Sequence, residues 1–387
     1  MTSWEGGDPS LLRRINSAVV LRALRSAGEL GESPSVAELA AVTGLSRPTV
    51  EQVVESLLGA GYAAVAGGAA RAPRVGRPAR RFRFRAEAGH LLGVEIGALR
   101  VTVLVADLAG RRVGSAVRTV AADAPAEERL ALVAGAARTA LMASGVPPDG
   151  VRAVGVGSPG IMAADGSVRL CAALPGWTGL PLGERLGSAL GAPVLVENDA
   201  NAAAVGERWR GAAVGCDDVV MVLAGLSPGA GSLIGGRVHR GFGGAAGEIG
   251  ALHLLGRGAA PERLLSPDGD RPLAALDEAA VGRVLERARG GEARAGAAVQ
   301  RYVERLTHDV TALVLALDPE LVVVGGWASG LEGVAGPLAR ELSRYCLRTP
   351  RVAVSELGAE AIATGALRLA LDRVEAEMFA VRAPAGG

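Results

Sequence analysis

The chain has 387 residues, 49% of them hydrophobic, and a net charge of +1. That length exceeds what one ordinary core organises and implies two or three domains. Widely spaced Cys171, Cys216 and Cys346 argue against a disulfide framework or a cysteine-rich zinc site, and no apolar run reaches the ~20 residues of a membrane span.

The longest apolar candidate, Leu313 to Val324, is interrupted by Asp318, Pro319 and Glu320, and the N-terminus lacks the charged start and apolar core of a signal peptide. The cytoplasm is the expected location. Lysine is absent, and the abundance of Ala, Gly and Arg reads as GC-rich coding bias, so arginine counts alone carry little weight.

From Leu11 onward, Leu12, Ile15 and Val19 recur at helical spacing, with Val20 and Leu24 widening the stripe; Gly28 and Gly31 end this helix. A second short helix fits Val36 to Val42, with Ser35 as its cap and Thr43-Gly44 as the turn. Ser46 opens a third, in which Pro48 is tolerated in the first turn and Val50, Val53, Val54, Leu57 and Leu58 are buried. Helix, tight glycine turn, capped helix is the helix-turn-helix pattern. The opposite face offers Ser46, Arg47, Thr49 and Gln52, with Glu51 beside them, to base edges or phosphates.

Tyr62 to Val65 and Arg81 to Arg85 read as two short strands around a Gly/Pro/Arg loop, a winged variant in which Arg77 reaches the backbone or minor groove. Arg71, Arg74, Arg77, Arg80, Arg81, Arg83 and Arg85 lie within fifteen residues that contain no acid, a strip suited to phosphate. A helical protein-protein module with a solvated basic linker is the competing reading.

Beyond residue 85 the pattern becomes a duplicated α/β body. Strands are expected at Leu91 to Ile96, Arg100 to Ala106 and Val113 to Val120, then a helix over Ala126 to Ala143 and a strand at Val151 to Val156. The second half repeats this loosely, with strands at Val219 to Leu223, Ser232 to Ile234 and Arg237 to His239, a long helix over Ala295 to Leu317 and a buried strand at Leu321 to Val324. Two such halves face each other across a ligand cleft. The expected division is 1–85, 86–205 and 206–387. Gly155 to Gly160 matches G-x-G-x-x-G after a strand, but Pro159 and the turn at Ala163 to Gly166 deny it the helix a dinucleotide needs. A loop touching ligand or closing the cleft is expected there instead.

These segments together resemble the ROK family, whose name joins repressors, open reading frames and sugar kinases. Leu11 to Asn16, the Ser46 segment and Gly76 to Ala79 look like its regulator branch. Val196 to Ala204, Gly244 to Gly250 and Leu317 to Gly326 look like its kinase-like body. The resemblance implies an actin-like ATPase (ribonuclease H-like) fold behind a winged helix-turn-helix. It implies that Asp199 matches the base taking a proton from a sugar hydroxyl, and that Asn198 and Glu248 match sugar-binding positions. Asp199 as a mere helix cap is the competing reading.

The chain departs from the family at both phosphate loops and at the zinc site. Glu95-Ile96-Gly97-Ala98-Leu99 stands where the resemblance expects Asp-x-Gly-x-Thr, and Ala224 to Gly231, with Pro228 lacking an N–H, stands for Gly-Thr-Gly-x-Gly. Ala251 occupies the usual histidine position, Gly256 to Leu276 contain no cysteine, and the lone His253 reads as structural, so no metal is expected. The resemblance therefore implies a transcriptional regulator without a cofactor, acting as homodimer or homotetramer on a double-stranded operator and responding to a sugar or sugar derivative. A sugar kinase retaining a DNA-binding arm, with Asp199 catalytic, is the alternative. A constitutive DNA-binding protein is the third reading.

Overall fold

The computed structural model describes residues 9–66, 79–226, 228–250, 261–267, 272–273, 277–326 and 335–378. The chain divides into two units: residues 1–91 with 106–113 and 371–387, and residues 92–105 with 114–370.

The first unit opens with α1 (Pro9–Glu29), α2 (Val36–Thr43) and α3 (Arg47–Gly59), followed by β1 (Ala63–Val65) and β2 (Phe82–Phe84). Local chemistry sets the boundaries. Ser35 and Glu38 form a reciprocal capping box on α2, Gly44 closes that helix at φ 71°, and Ser46 accepts the Thr49 N–H to start α3 with Pro48 in its first turn. The stripe bearing Val20, Leu21 and Leu24 packs on Val50, Val53, Val54 and Leu57 of α3, with Phe82 and Phe84 from the strand pair joining the same core. β1 and β2 pair antiparallel, with Ala63 opposite Phe84. Phe82 donates to the Pro34 carbonyl and so fastens the pair to the entry of α2.

The body carries β3 (His90–Ile96), β4 (Arg100–Asp107), β5 (Arg112–Thr119), α4 (Ala126–Ala143), β6 (Val151–Ser158), β7 (Ile161–Met162), β8 (Val168–Leu170), α5 (Leu182–Leu190), β9 (Val194–Asn198) and α6 (Asp199–Arg210). Its second half carries β10 (Val219–Ala224), β11 (Gly229–Ile234), β12 (Arg237–Val238), α7 (Pro261–Leu264), α8 (Glu278–Arg289), α9 (Ala293–Leu317), β13 (Leu321–Gly326), α10 (Ala335–Tyr345), β14 (Arg351–Val354) and α11 (Ala361–Met378). The sheets run β5-β4-β3-β6-β9 and β12-β11-β10-β13-β14. Counted along the chain within each five-stranded sheet, the third, second, first, fourth and fifth strands stand in that spatial order in both. The duplication expected from a loose repeat of strand signals is thus a repeat of topology, and the body is a duplicated actin-like α/β fold.

Central β10 and β13 pair in parallel and are buried on both faces, which explains their unbroken apolar runs. Sequence periodicity locates α9 to within two residues but passes over α11. The first ten residues of that helix carry only Thr364 and Arg368 as polar side chains, because Ala363, Ala366, Leu367 and Ala370 are buried within the body. Its close seating explains the glycine motif: a Cβ on Gly155 would lie 1.8 Å from the Ala366 carbonyl oxygen, and one on Gly157 2.4 Å from Ile362. Gly365 approaches α6 in the same way, 1.6 Å from a backbone oxygen of Ala202 if it carried a Cβ. Gly155 and Gly157 therefore serve helix-on-sheet packing. The loop expected after them is replaced at its start by strand, since β6 continues to Ser158.

Candidate ligand cleft and nucleic-acid face

On α3, Ser46, Arg47, Glu51 and Gln52 are exposed and Thr49 is half-buried, while the apolar side faces the core. The two hydroxyls partly serve each other: Ser46 Oγ stands 2.7 Å from Thr49 Oγ1 and 3.3 Å from the Thr49 N–H it accepts. Arg47 and Gln52 are exposed long side chains with donors on that surface, beside the exposed acids Glu51 and Glu55. Arg77, with the rest of residues 67–78, lies outside the described residues.

The basic strip is less free than its composition suggests. Arg80 meets Glu55 at 2.9 Å, Arg81 meets Glu38 at 3.1 Å and donates to the Ser33 carbonyl, and Arg83 meets Glu87 at 2.6 Å. The Arg83 hydrogen bonds hold the Glu87 carboxyl down to about 2. A window free of acids hid these pairs because the partners come from α2, α3 and the turn after β2. These exposed pairs orient the strand pair more than they stabilise it.

The residues that the resemblance assigns to a ligand lie around the start of α6 and on the loop before Ile249. Asn198 at the end of β9, rather than Asp199, is the main cap: its Oδ1 accepts from Ala200 N at 2.9 Å and Asn201 N at 3.2 Å, while its Nδ2 donates to the Gly160 carbonyl at 3.1 Å. One Asn198 amide hydrogen remains. Asp199 Oδ1 accepts only the adjacent Ala200 N–H, at 2.8 Å. Burial, countered in part by that bond and reinforced by the charges of Glu248 and Glu95, pushes its carboxyl up to about 6.

Glu248 reaches the same region from the second half. The preceding Gly247 accepts from Ala230 N at 2.8 Å, and β11 packs on α6 so closely that a Cβ on Gly231 would lie 2.2 Å from the Ala200 oxygen. Arg169, next to Val168 on β8, donates to Gly243 at 3.0 Å and ties this loop to the β7-β8 pair. Glu248 sits exposed on the rim yet crowded enough that desolvation raises its carboxyl. Buried Cys171 has its thiol raised by burial first, with Asp199 and Glu248 adding to the shift. Asn198 and Asp199 are thus adjacent at the start of α6, and the Glu248 charge is one of the causes that raise the Asp199 carboxyl.

Spacing does not reveal the supporting shell. Glu197 is buried and accepts from Asn198 N at 2.9 Å and Asn201 Nδ2 at 3.0 Å through one oxygen, and from Arg240 at 2.8 and 2.5 Å through the other. It clamps the β9-α6 junction to the second half. Its position beside Asn198 was the only sequence signal available.

At the first loop, Gly97 N–H donates to the Arg100 carbonyl at 2.9 Å instead of facing the cleft. Arg129, 0% exposed, donates to Gly97 O at 2.6 Å, Ala98 O at 3.1 Å and Ala121 O at 3.1 Å, and burial lowers the pKa of its guanidinium. Glu95 bonds Arg100 at 2.9 Å through Oε1, while Oε2 is buried without a hydrogen-bond partner; burial raises its carboxyl. At the second loop, Gly225 O accepts from Tyr302 OH at 2.9 Å and Leu226 is buried in the second core. Ser227, Ala251 and His253 lie outside the described residues. The described residues contain no group of three His, Cys, Asp or Glu side chains able to hold a metal, and no described helix is long and apolar enough to cross a membrane.

The sequence profile of the ROK family matches residues 91–373. The chain is 25% identical over 348 residues to a xylose repressor of Caldicellulosiruptor bescii, covering 84% of this chain and 86% of that one. It is 31% identical over 227 residues to a glucokinase of Halalkalibacterium halodurans, covering 52% of this chain and 68% of that one. A crystal structure described as a ROK family transcriptional regulator, homolog of the E. coli MLC protein, shares the fold with a TM-score of 0.68 at 19% identity, covering 95% of this chain and 99% of that one.

Proposed function

We propose, for a chain that belongs to the ROK family, that it is a DNA-binding transcriptional regulator of the repressor kind, whose kinase-like body senses a small-molecule effector and joins the protein into a two-fold oligomer. The observation that carries this reading is the capped α2-α3 pair, which leaves Arg47 and Gln52 outward on a chain whose body is kinase-like. The extent of the similarities supports it: that to the xylose repressor spans 84% of the chain, that to the glucokinase 52%. Inverted half-sites on DNA call for a two-fold assembly, and an effector changes DNA affinity only by preferring one arrangement of the body. Such a regulator works in the cytoplasm, on a double-stranded operator, with a sugar-like effector held by Asn198, Asp199 and Glu248 and without a cofactor.

Genomic fragments retained by the purified protein at near-physiological salt are expected to share an inverted repeat, the electrostatic background being suppressed there. On that repeat, Arg47→Ala lowers affinity by about 1–3 kcal/mol where the guanidinium reads a base, and by less where it touches phosphate alone. Retention without any common sequence contradicts the reading, and unchanged binding by the variant removes Arg47 from the interface.

One observation favours the kinase alternative: an Asp199 carboxyl near 6 is well suited to accept a hydroxyl proton. ATP-dependent phosphorylation of a common sugar that vanishes in Asp199→Asn would establish it. The commitment of the Gly97 N–H to the Arg100 carbonyl weighs against it, since that donor would have to leave its partner to face phosphate.

A further inference from the structure

We infer that Arg80 contacts the phosphate backbone of DNA, and that in the free protein Glu55 holds it with a carboxylate standing where a phosphate sits in the complex. The inference rests on the DNA-binding reading and assigns that interface a residue beyond α3.

Arg47, Glu51 and Glu55 lie four residues apart on α3, all exposed, and so form one row on its outer side. At about 1.5 Å of rise per residue, Glu55 stands about 12 Å beyond Arg47 along the helix, roughly the width of the major groove. A helix whose first turn reaches base edges therefore brings its third turn to the groove wall, where the phosphates run. A bare carboxylate is repelled there. Glu55 is not bare: Arg80, from the entry to β2, meets it at 2.9 Å.

Of Arg80, Arg81 and Arg83, the first is the one able to change partners. Arg81 is held by both Glu38 oxygens and the Ser33 carbonyl, and Glu38 is itself fixed in the capping box of α2. Arg83 engages both Glu87 oxygens and the Phe84 carbonyl. Arg80 donates to Glu55 through Nη1 alone, and the two side chains are 58% and 55% exposed. Its guanidinium carbon lies 5.4 Å from the centre of the Phe82 ring, and Phe82 is buried and bonded to the Pro34 carbonyl. The ring steadies the planar group at the surface. Nε and Nη2 have no hydrogen-bond partner among the described residues. A phosphate offers two oxygens to this fork where Glu55 engages one nitrogen, so the exchange gains a hydrogen bond and releases a condensed counterion. An exposed pair costs little to open.

The test is fluorescence anisotropy of the full-length protein with a mixed-sequence duplex of about 30 base pairs, at NaCl concentrations from about 50 to about 200 mM. Phosphate contacts are independent of sequence, so no operator is required. Arg80→Ala is expected to make the fall of log affinity with log salt shallower by about 0.9, which weakens binding about threefold more at the low-salt end than at the high. Glu55→Gln is expected to tighten binding about twofold to fivefold, because phosphate no longer competes with an ion pair. Arg373 and Glu377 supply a matched control, a pair on α11 at 2.8 Å with side chains 52% and 48% exposed. Arg373→Ala and Glu377→Gln carry the same charge changes without a place on α3 or the strand pair, and are expected to shift the slope by less than about 0.3.

The inference is overturned if Arg80→Ala keeps the slope of the parent, if the control variants produce the same changes so that net charge alone counts, or if Glu55→Gln binds more weakly than the parent. DNA binding with an unaltered slope overturns this contact alone and leaves the operator reading to the genomic fragments. No saturable binding of any DNA overturns both.

Discussion

Replacing Arg129 with methionine lowers the stability of the body by about 2–4 kcal/mol, read as the midpoint of urea unfolding. The guanidinium is wholly buried and its two terminal nitrogens gather carbonyls from two loops, Gly97 and Ala98 on one side and Ala121 on the other. Methionine fills much of the volume but donates nothing, so those oxygens lose their partners. Lysine recovers only part of the loss, because a single ammonium cannot span the fork that the planar group spans. The cost is moderated because the charge itself is unfavourably buried, as its lowered pKa indicates. A variant within about 0.5 kcal/mol of the parent, the range of an ordinary surface substitution, would mean that water replaces the guanidinium without penalty and that Arg129 does not hold the loop.

The opposite sign is expected at Asp199. Its carboxyl lies at about 6 in the folded chain, above the ordinary aspartate range, so the folded state binds the proton more tightly than the unfolded state does. For this group, stability is fully present below the unfolded value and is lost as pH rises through about 6. Asp199→Asn, which cannot ionise, therefore stabilises the ligand-free protein by about 1–3 kcal/mol at pH 7.5, and the gain fades as pH falls from about 7 to about 4. Among the described residues the charges that act on Asp199 are those of Glu248 and Glu95, and Cys171 feels Asp199 in turn; none of these supplies a compensating positive charge. Thermal unfolding of both proteins at pH 7.5 and pH 5 decides the matter. A variant less stable than the parent at pH 7.5 would show that the Ala200 hydrogen bond outweighs burial and repulsion. On the proposed function the same substitution removes an effector contact, so a gain in stability accompanied by a loss of effector binding is the pattern of a functional site held under electrostatic strain.

How much was legible in the sequence depended on the range of the interaction concerned. The caps Ser35 and Ser46, the turn at Gly44 and the span of α4 follow from contacts within four residues, and the structure places them where the sequence does. The strands of the body followed from apolar runs and alternation. By contrast, α5, α8, α10 and α11 stand outside the expected elements: the first three are short though amphipathic, and the first ten residues of α11 carry only Thr364 and Arg368 as polar side chains because that stretch is buried. The glycines of Gly155 to Gly160 showed a motif but not its purpose, which appears only when α11 is seen against β6.

The sequence by itself determined the helix-turn-helix caps, the run of body strands and the family resemblance. Tertiary structure alone decided which arginines of the basic strip are paired, that Asn198 carries the main cap, that Arg129 pins the first loop, and that Asp199 titrates near 6. The reason is physical. Capping and periodicity act along the chain between close neighbours, whereas charge and desolvation act through space, and Glu95, Asp199 and Glu248 are made to share one field only by the folding of distant segments.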